Sequence, residues 1–226
     1  MKYAKVVAAG FLARPNRFIA EVELEGRRET VHVKNTGRCR ELLVPGTRCY
    51  LSDAGHPARK TRYDLIAVEK GKLLINMDSQ IVNDVAEEFL KRGTLFSRNA
   101  LIRREKVFGA SRFDFYIEDG ERKCFLEIKG VTLEKEGVVS FPDAPTARGA
   151  RHLNELVSAV EQGFEGCLLF IVQMAEARLF RPNDATDPEF GQALRRAARA
   201  GVRIMALTCR VTPDSVTAEK PLPVEL

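Results

Sequence analysis

The sequence predicts two domains: a small all-β barrel in residues 1–80, then an α/β domain in residues 81–226 with a mixed central sheet flanked by helices. The first part alternates apolar and polar residues in short runs separated by turn residues, which is the period of strands. Near residue 79 the apolar residues change to a spacing of three and four, which is the period of helices. A chain of 226 residues suffices for one large or two small domains.

The strands of the barrel follow from alternation and turns. The stretch RFIAEVELEG places on one face Phe18, Ala20, Val22 and Leu24. That periodicity assigns Phe18 to the core rather than to stacking on bases. Turn residues at 25–27 and at Lys70-Gly71 join two pairs of strands as hairpins. Five or so short strands in fewer than 80 residues indicate an OB-like barrel.

Three helices and five strands are predicted after the barrel, in the order α-β-β-β-α-β-α-β. Ser79 and Asp187 are the predicted N-caps of the first and third helices, and Gly93 and Gly201 are their predicted stops. The tail, residues 213–226, contains three prolines and supports no assignment.

Composition excludes several classes of protein. The longest apolar run, CLLFIV at 167–172, is far too short to span a membrane. The N-terminus lacks the apolar region of a signal peptide, so we expect a soluble, cytoplasmic protein. The five cysteines are odd in number and contain no CxxC pair. This argues against a disulfide framework or a zinc site and favours buried free thiols.

Positive charge is concentrated near the N-terminus. Residues 1–60 contain twelve Lys or Arg against six Asp or Glu, whereas the net charge of the whole chain is +5. This indicates a surface that binds a polyanion, with a solvated basic face as the alternative. The Gly turn and guanidinium groups around residues 32–46 suit phosphate, and an OB-like barrel commonly tracks a nucleic-acid backbone. The predicted contacts are Arg14, Arg17, Lys34, Asn35, Thr36, Arg38 and Arg40.

The strand CFLEIKGVTL contains two charged residues, Glu127 and Lys129, and the strand before it contains Asp114. Charged groups inside a sheet cost free energy unless they are paired or bind a metal. A two-residue turn at Asp119-Gly120 would pair Asp114 with Phe125. Glu127 would then lie diagonally across from Asp114, about 7–8 Å away at the backbone. Lys129 would share that face, and an odd-length turn would move Asp114 to the other one.

This arrangement suits a divalent ion that assists phosphodiester cleavage. Mg²⁺ and Mn²⁺ prefer carboxylate oxygens and water, so Asp114 and Glu127 are the predicted metal ligands, and the backbone carbonyl of Ile128 is a further one. Lys129 would position or help activate water and offset phosphate charge. The predicted catalytic residues are therefore Asp114, Glu127 and Lys129. A salt-bridge cluster without chemistry is the alternative.

Asp114 followed by Glu127-Ile128-Lys129, within an α-β-β-β-α-β order, resembles the PD-(D/E)xK nuclease-like superfamily. The chain departs from that pattern because Phe113, not proline, precedes Asp114. Some members have an additional upstream acid, so the resemblance implies Glu105 as a metal ligand. A solvated strand charge is the alternative for Glu105.

Longer stretches resemble the sugar fermentation stimulation protein A family. They are RPNRFIAEVELEGRRETVHVKNTGRCRELLVPG, SRFDFYI, EIKGVTL and FPDAPTARGARHLNEL, and the similarity extends to KPLPVEL at the end. The resemblance implies an N-terminal OB-like domain, a C-terminal nuclease-like domain, DNA binding and a role in regulating sugar, notably maltose, metabolism.

FPDAPTARGARHLNEL also places basic residues at a helix start, where anions bind. Arg148 and His152 are four residues apart, on one helical face and away from the leucines, so we predict that they contact the substrate near the metal.

The expected function is that of a DNA-binding protein with a Mg²⁺- or Mn²⁺-dependent nuclease site. A DNA-binding regulator of sugar metabolism that keeps the nuclease fold but does not cleave is the alternative.

Overall fold

The computed structural model describes residues 1–35, 37–55 and 58–226. Its first part is a closed five-stranded barrel, as predicted. The strands are β1 (Val6–Asn16), β2 (Ile19–Leu24), β3 (Arg27–Val33), β4 (Arg48–Asp53) and β5 (Tyr63–Lys70). Antiparallel pairings join β3 to β2, β2 to β1, β1 to β4 and β4 to β5. A parallel pairing of β3 with β5 closes the barrel, and β6 (Leu73–Asn76) extends it beyond β5.

Alternating side chains fill the barrel as the sequence predicts, with one exception. Ala20 and Val22 are fully buried. Phe18 shares their parity but is 45% exposed, because it lies in the turn before β2, at the end of the barrel. Its predicted place in the core is therefore wrong. At the predicted hairpin turn, Glu25 and Gly26 have φ values of 52° and 75°, the left-handed values that a type I′ turn requires.

The second part is a six-stranded mixed sheet in the order β15-β14-β12-β9-β8-β7. β9, β12 and β14 are parallel, and the other neighbours are antiparallel. The helices are α1 (Val82–Leu90), α2 (Ala147–Glu161) and α3 (Pro188–Arg199). The strands of this sheet are β7 (Leu101–Phe108), β8 (Ser111–Asp119), β9 (Arg122–Val131), β12 (Glu165–Val172), β14 (Arg203–Thr212) and β15 (Ser215–Pro221).

Helices cover both faces of this sheet. α1 packs on one face, where Val85 and Phe89 join the apolar cluster of Leu126 and Ile128. α2 and α3 pack on the other face, in a cluster that includes Leu153 and continues into the barrel. Strand β9 is therefore covered on both sides, so charged side chains in its middle must be compensated inside the protein.

Several short elements were not predicted. β10 (Leu133–Lys135) and β11 (Val138–Phe141) form a hairpin, and β11 pairs with β13 (Leu179–Pro182) in a separate small sheet. Strands of three or four residues are too short for their period to be recognised. The unassigned tail supplies β15, an edge strand that ends at Pro221, where a proline is tolerated because one side of the strand has no partner.

The helix caps follow the sequence in part. Asp187 caps α3 as predicted, its carboxylate accepting a hydrogen bond from the Phe190 N–H (2.9 Å), and Gly201 follows the helix at φ 95°. Ser79 does not cap α1: its hydroxyl donates to the backbone carbonyl of Lys34 (2.7 Å). The predicted cap at Ser79 is therefore wrong, because the hydroxyl binds the barrel instead.

A buried polar network connects the barrel to the second domain. The Asp78 carboxylate is fully buried and accepts hydrogen bonds from Lys34 Nζ (3.2 Å) and the Tyr3 hydroxyl (3.4 Å). Gln173, at the end of β12, donates through Nε2 to Asn76 Oδ1 (2.7 Å) and to the Asp78 carbonyl (3.0 Å). These bonds hold the barrel at the carboxyl ends of β9 and β12.

Two further observations concern sequence predictions. All five cysteines are free and buried, as expected. Among the residues that the structure describes, no helix has the length and apolar character needed to cross a membrane. The predicted division of the chain between residues 80 and 81 stays a prediction.

Candidate functional site

The hairpin of β8 and β9 sets the register of the acids. It closes with Asp119 opposite Arg122, so the two turn residues are Gly120 and Glu121 rather than Asp119 and Gly120. Gly120 has φ 64°, consistent with a type II′ turn, in which glycine is the first central residue. The predicted register is therefore wrong by two residues. An even shift by itself would leave each side chain on its predicted face.

Asp114 lies directly across from Glu127 in this register, not diagonally as expected. The last backbone pair between the two strands is Phe115 with Leu126, and the next positions are Asp114 and Glu127. Beyond that pair, the N–H of Ile128 donates to Asp114 Oδ2 (2.8 Å) instead of to the backbone of β8. The first acid is thus attached to the strand that contains the second.

Side-chain alternation along β8 shifts at Asp114. Phe113 faces α2, with its ring centroid 6.0 Å from that of His152, whereas Phe115 belongs to the cluster on the α1 side. Residues two apart share a face in a regular strand, so the regular pattern is interrupted between them. On the neighbouring strand β7, Glu105 occupies the position across from Asp114 and has φ 57°. This local irregularity turns the Asp114 carboxylate toward α1.

Asp114 holds two hydrogen bonds and yet has excess negative charge around it. Its Oδ1 accepts from Asn83 Nδ2 of α1 (2.8 Å), in addition to the bond from the Ile128 N–H to Oδ2. Burial raises the pKa of Asp114, and the charge of Glu127 raises it further, while the two hydrogen bonds and Lys129 oppose the shift only in part. A cation at this position would offset that cost.

Glu127 is 3% exposed, and its two oxygens differ. Oε1 accepts hydrogen bonds from Lys129 Nζ and from His152 Nδ1. Burial raises the pKa of Glu127, but the hydrogen bond from His152 and the charge of Lys129 outweigh burial and hold that pKa below its ordinary value. Oε2 is buried and has no hydrogen-bond partner among the described residues. Buried polar atoms are normally satisfied, so this oxygen is a candidate ligand atom.

The remaining predicted site groups converge on the same place. The Lys129 side chain is 17% exposed and its ammonium contacts the Glu127 carboxylate. The Ile128 side chain is buried against α1, and its N–H points toward Asp114. Because the N–H and C=O of one strand residue point toward the same neighbouring strand, the Ile128 carbonyl is on the Asp114 side as well.

Glu105 lies apart from these groups. Its side chain is 64% exposed and pairs with Arg112 (3.2 Å). Its role as a metal ligand stays a prediction. Within the described ranges, no three Asp, Glu, His or Cys side chains are grouped so as to hold a metal ion. An ion here would be held by two carboxylates, the Ile128 carbonyl and water, and Mg²⁺ is commonly bound through only one or two carboxylates and several waters.

Arg148 and His152 lie at the acid site, in the first turns of α2. His152 is buried, and Arg148 Nε donates to His152 Nε2 (3.3 Å). Since Nδ1 of the same ring contacts Glu127, both ring nitrogens are engaged by protein groups. The predicted contact of these two residues with nucleic acid stays a prediction.

Three of the predicted nucleic-acid residues are exposed on the barrel: Arg17, Arg38 and Arg40. Together with Arg14 they line an open groove of about 300 Å³, and none of the described residues in its wall is acidic. Exposed Phe18 borders this surface, because the Arg17 guanidinium lies 4.7 Å from the centre of its ring. Predicted residue Thr36 lies outside the described residues.

The other predicted residues of the barrel order the loop after β3. The Arg14 guanidinium donates to four backbone carbonyls at 2.7–2.8 Å, those of Arg17, Asn35, Gly37 and Arg38. Buried Asn35 accepts a hydrogen bond from the Gly37 N–H (2.8 Å). Lys34 pairs with two buried acids, Asp64 (3.0 Å) and Asp78 (3.2 Å), so its charge is compensated within the protein. Phosphate contacts by Arg14, Lys34 and Asn35 stay predictions.

Two family models match the chain. The model described as "Sugar fermentation stimulation protein RE domain" matches residues 80–215, and "SfsA N-terminal OB domain" matches residues 12–77. The chain belongs to the sugar fermentation stimulation protein family. This confirms the resemblance to that family drawn from the longer sequence stretches, as well as the OB assignment of the barrel.

Full-length relatives agree with this assignment. A "Sugar fermentation stimulation protein homolog" of Desulfitobacterium hafniense (strain DSM 10664 / DCB-2) is 54% identical over 218 residues, covering 96% of this chain and 95% of the relative. The homolog of Ruminiclostridium cellulolyticum is 47% identical and covers 100% of both chains. A solved structure, described as "The structure of Pyrococcus Furiosus SfsA in complex with Ca2+", superposes with a TM-score of 0.87 at 29% identity, covering 100% of this chain and 98% of the other.

Sequence reasoning about this family member missed Asn83 and the pairing of His152 with Glu127. Asn83 is the second residue of α1 and follows buried Val82. A polar residue in the first turn of a helix that precedes the acidic strands is a weak indication of a site. The pairing of His152 joins residues 25 apart in different elements, and no local pattern predicts it.

Proposed function

We propose that this protein binds DNA and cleaves phosphodiester bonds with Mg²⁺ or Mn²⁺ held by Asp114 and Glu127. The observation that supports this most directly is the buried Oε2 of Glu127, a charged acceptor to which no described residue donates, beside a second carboxylate. Leaving such an atom unsatisfied is costly, and a hard divalent cation would remove that cost. The donor set of carboxylate and carbonyl oxygens suits Mg²⁺ and Mn²⁺ rather than a soft metal.

Each residue has a distinct part in this proposal. Asp114 and Glu127 would hold the ion, and the Ile128 carbonyl would be a further protein ligand. When bound, the ion supplies Lewis-acid polarisation of the phosphate and stabilises developing negative charge. Lys129 is adjacent to Glu127 and its ammonium would orient the attacking water and offset the charge of the phosphate. Asn83 keeps Asp114 in place through its hydrogen bond.

A related protein supports the choice of metal class. The Pyrococcus furiosus relative, 29% identical with a TM-score of 0.87, is described as a complex with Ca²⁺. Ca²⁺ and Mg²⁺ are both hard cations that bind carboxylate and carbonyl oxygens. A Ca²⁺ ion in a protein of the same fold is consistent with a hard-cation site in this chain.

DNA would bind first through the basic groove of the barrel. Arg17, Arg38 and Arg40 are exposed there, and the described part of the chain places no acidic residue in the groove wall, so they are available for phosphates. Phe18 offers an exposed ring on which a base could stack. Because the polar network around Asp78 holds the barrel at the carboxyl end of β9, the strand that contains Glu127 and Lys129, a DNA strand bound in the groove would have a defined orientation to that strand.

The second candidate is a DNA-binding regulator of sugar metabolism that does not cleave. One observation favours it: the additional acid Glu105 pairs with Arg112 on the surface and does not join the two carboxylates. The names of the curated relatives, sugar fermentation stimulation protein homologs, agree with such a role. The basic groove would serve this function equally well.

A cleavage assay separates the two candidates. Purified protein is incubated with Mn²⁺ or Mg²⁺ and with supercoiled, linear duplex or single-stranded DNA, and DNA binding is measured in parallel. Lys129→Ala tests the site, and Lys123→Ala, at an exposed position of the same strand, is the matched control. Thermal melts establish that both variants are folded.

We expect cleavage by the wild type and by Lys123→Ala, and none by Lys129→Ala although it still binds DNA. DNA binding by the wild type with no cleavage of any DNA form under either metal would reject the nuclease proposal and leave the regulator. Absence of both binding and cleavage would reject both candidates.

A further inference from the structure

We propose that His152 is a positioning residue that directs the free oxygen of Glu127 toward the ion, and that Arg148 holds His152 in the tautomer this requires. The inference rests on the proposed metal site. It assigns to these two residues a role other than the DNA contact that their sequence positions predict. Three contacts support this role: two at Glu127 and one between the two α2 residues.

The two oxygens of the Glu127 carboxylate have different contacts. Both donors near it, Lys129 Nζ and His152 Nδ1, contact Oε1, and neither contacts Oε2. A glutamate side chain has several rotatable bonds, so one oxygen held by two donors fixes the direction of the other. Lys129 comes from the same strand two residues away, whereas His152 reaches across from α2. His152 is therefore the donor that ties the carboxylate to a second element.

The hydrogen bonds of the His152 ring determine which of its two nitrogens donates to Glu127. Arg148 Nε–H can only donate, so His152 Nε2 must accept and carries no proton. The remaining proton is then on Nδ1, the nitrogen that faces Glu127 Oε1. His152 thus donates its Nδ1–H to the carboxylate, and Arg148, four residues earlier on the same helix face, selects this tautomer. Carboxylates that bind a metal are themselves commonly held by hydrogen bonds from neighbouring groups.

The packing of the His152 ring keeps it from turning away from Glu127. His152 is 3% exposed, and Phe113, the residue before Asp114, packs edge-on against it with centroids 6.0 Å apart. The same segment of β8 therefore supplies one acid and a wall for the residue that orients the other acid. Buried, and with both nitrogens bonded to protein groups, the ring has little freedom to contact DNA.

The test measures binding of Mn²⁺ itself, by calorimetric titration without DNA. The variants are His152→Ala, His152→Asn, Arg148→Ala and Leu156→Ala. The amide nitrogen of asparagine can stand near the position of Nδ1 and donate to Oε1. Leu156 is a fully buried residue of the same helix that does not contact Glu127, so Leu156→Ala reports what general loosening of α2 does. Thermal melts without metal accompany each titration.

We expect His152→Ala to weaken Mn²⁺ binding about 10–100-fold, the range seen when a group supporting a metal ligand is lost. His152→Asn should recover most of that loss, and Leu156→Ala should lower the melting temperature without changing Mn²⁺ affinity. Arg148→Ala, at an exposed residue, should remain folded and weaken Mn²⁺ binding several-fold. If His152→Ala does not fold, the His152→Asn and Arg148→Ala titrations decide the matter.

Wild-type protein that binds Mn²⁺ no better than its His152→Ala variant would overturn this inference alone. Equal losses in His152→Ala and Leu156→Ala, with no recovery by asparagine, would also overturn it, since the effect would then be structural. Wild-type protein that binds no Mn²⁺ would overturn the proposed metal site and this inference with it. A loss of DNA affinity in His152→Ala, with Mn²⁺ binding intact, would return the residue to the predicted DNA contact.

Discussion

Replacing Asp114 with asparagine removes a negative charge while nearly preserving the shape of the side chain. In the wild type, Oδ2 accepts from the Ile128 N–H and Oδ1 accepts from Asn83 Nδ2, both at 2.8 Å. The oxygen of an asparagine can still accept from Ile128. Its NH₂ group can donate to Asn83, provided that the Asn83 amide rotates by half a turn and presents its oxygen. Both hydrogen bonds can therefore be formed again.

The free energy of unfolding should consequently change little. Hydrogen bonds to a charged group contribute about 1 kcal/mol more than neutral ones, so two bonds lose about 2 kcal/mol. Against this, burial and the charge of Glu127 raise the pKa of Asp114, which means that the charge itself is disfavoured at this position. We expect the two effects to leave Asp114→Asn within about 1 kcal/mol of the wild type. Asp114→Ala instead leaves the Ile128 N–H without its acceptor and should cost about 2–3 kcal/mol.

Urea denaturation without divalent metal measures the stability of both variants, and Mn²⁺ titration measures their binding. Asp114→Asn should lose Mn²⁺ affinity by more than about 100-fold, beyond the loss typical of a supporting group, although it is as stable as the wild type. Equal destabilisation by asparagine and alanine would refute the hydrogen-bond reasoning. Undiminished Mn²⁺ binding by a folded Asp114→Asn would refute the assignment of Asp114 as a ligand.

Three other predictions concern the barrel and its junction with the second domain. Arg40→Ala should reduce the slope of log DNA affinity against log salt concentration by about one, because one phosphate contact is lost. Arg14→Ala should instead lower the free energy of unfolding by about 2 kcal/mol, because the Arg14 guanidinium binds four backbone carbonyls. An unchanged salt slope for Arg40→Ala would count against the groove. Burial raises the pKa of Asp64, but hydrogen bonds from its two basic partners outweigh burial and hold that pKa below 3.8. The stability that the charged Asp64 contributes is complete above the unfolded pKa and is lost as the pH falls through the lower folded pKa. Asp64→Asn should therefore show a shallower loss of unfolding free energy below about pH 4, and an acid profile identical to that of the wild type would contradict this. Gly130→Ala should lower the free energy of unfolding in urea by about 1–3 kcal/mol, since the new Cβ would lie 2.7 Å from the glutamine that follows β12 and 3.0 Å from α1. Gly10→Ala is the control and should be tolerated, because the nearest neighbour of its Cβ would be 4.0 Å away. Equal effects of the two substitutions would show that crowding is not the cause.

The hairpin of β8 and β9 shows which features a local sequence pattern predicts and which it does not. The dipeptide Asp119-Gly120 indicates a two-residue turn, and the turn has two residues, but glycine occupies its first central position instead of its second. The register moves by two residues as a result. Because the side-chain period of a strand is two, this error alone would leave Asp114 and Glu127 on one face. The predicted shared face is nevertheless wrong, because the irregularity in β8 turns the Asp114 carboxylate toward Asn83 of α1, whereas Glu127 contacts His152 of α2. Their direct opposition depends on the register, and so does the distance between them.

The sequence by itself determined the two domains, the OB barrel, the family and the strands on which Asp114, Glu127 and Lys129 lie. These follow from periodicity, turn residues and motifs, which are local along the chain. Only the tertiary structure decided that one oxygen of Glu127 is free, that His152 and Arg148 face it, and that Lys34 is paired with Asp64 and Asp78. Each of these contacts joins elements that are distant in sequence, and their geometry depends on how α2 and the barrel pack against the sheet, which no local pattern of residues specifies.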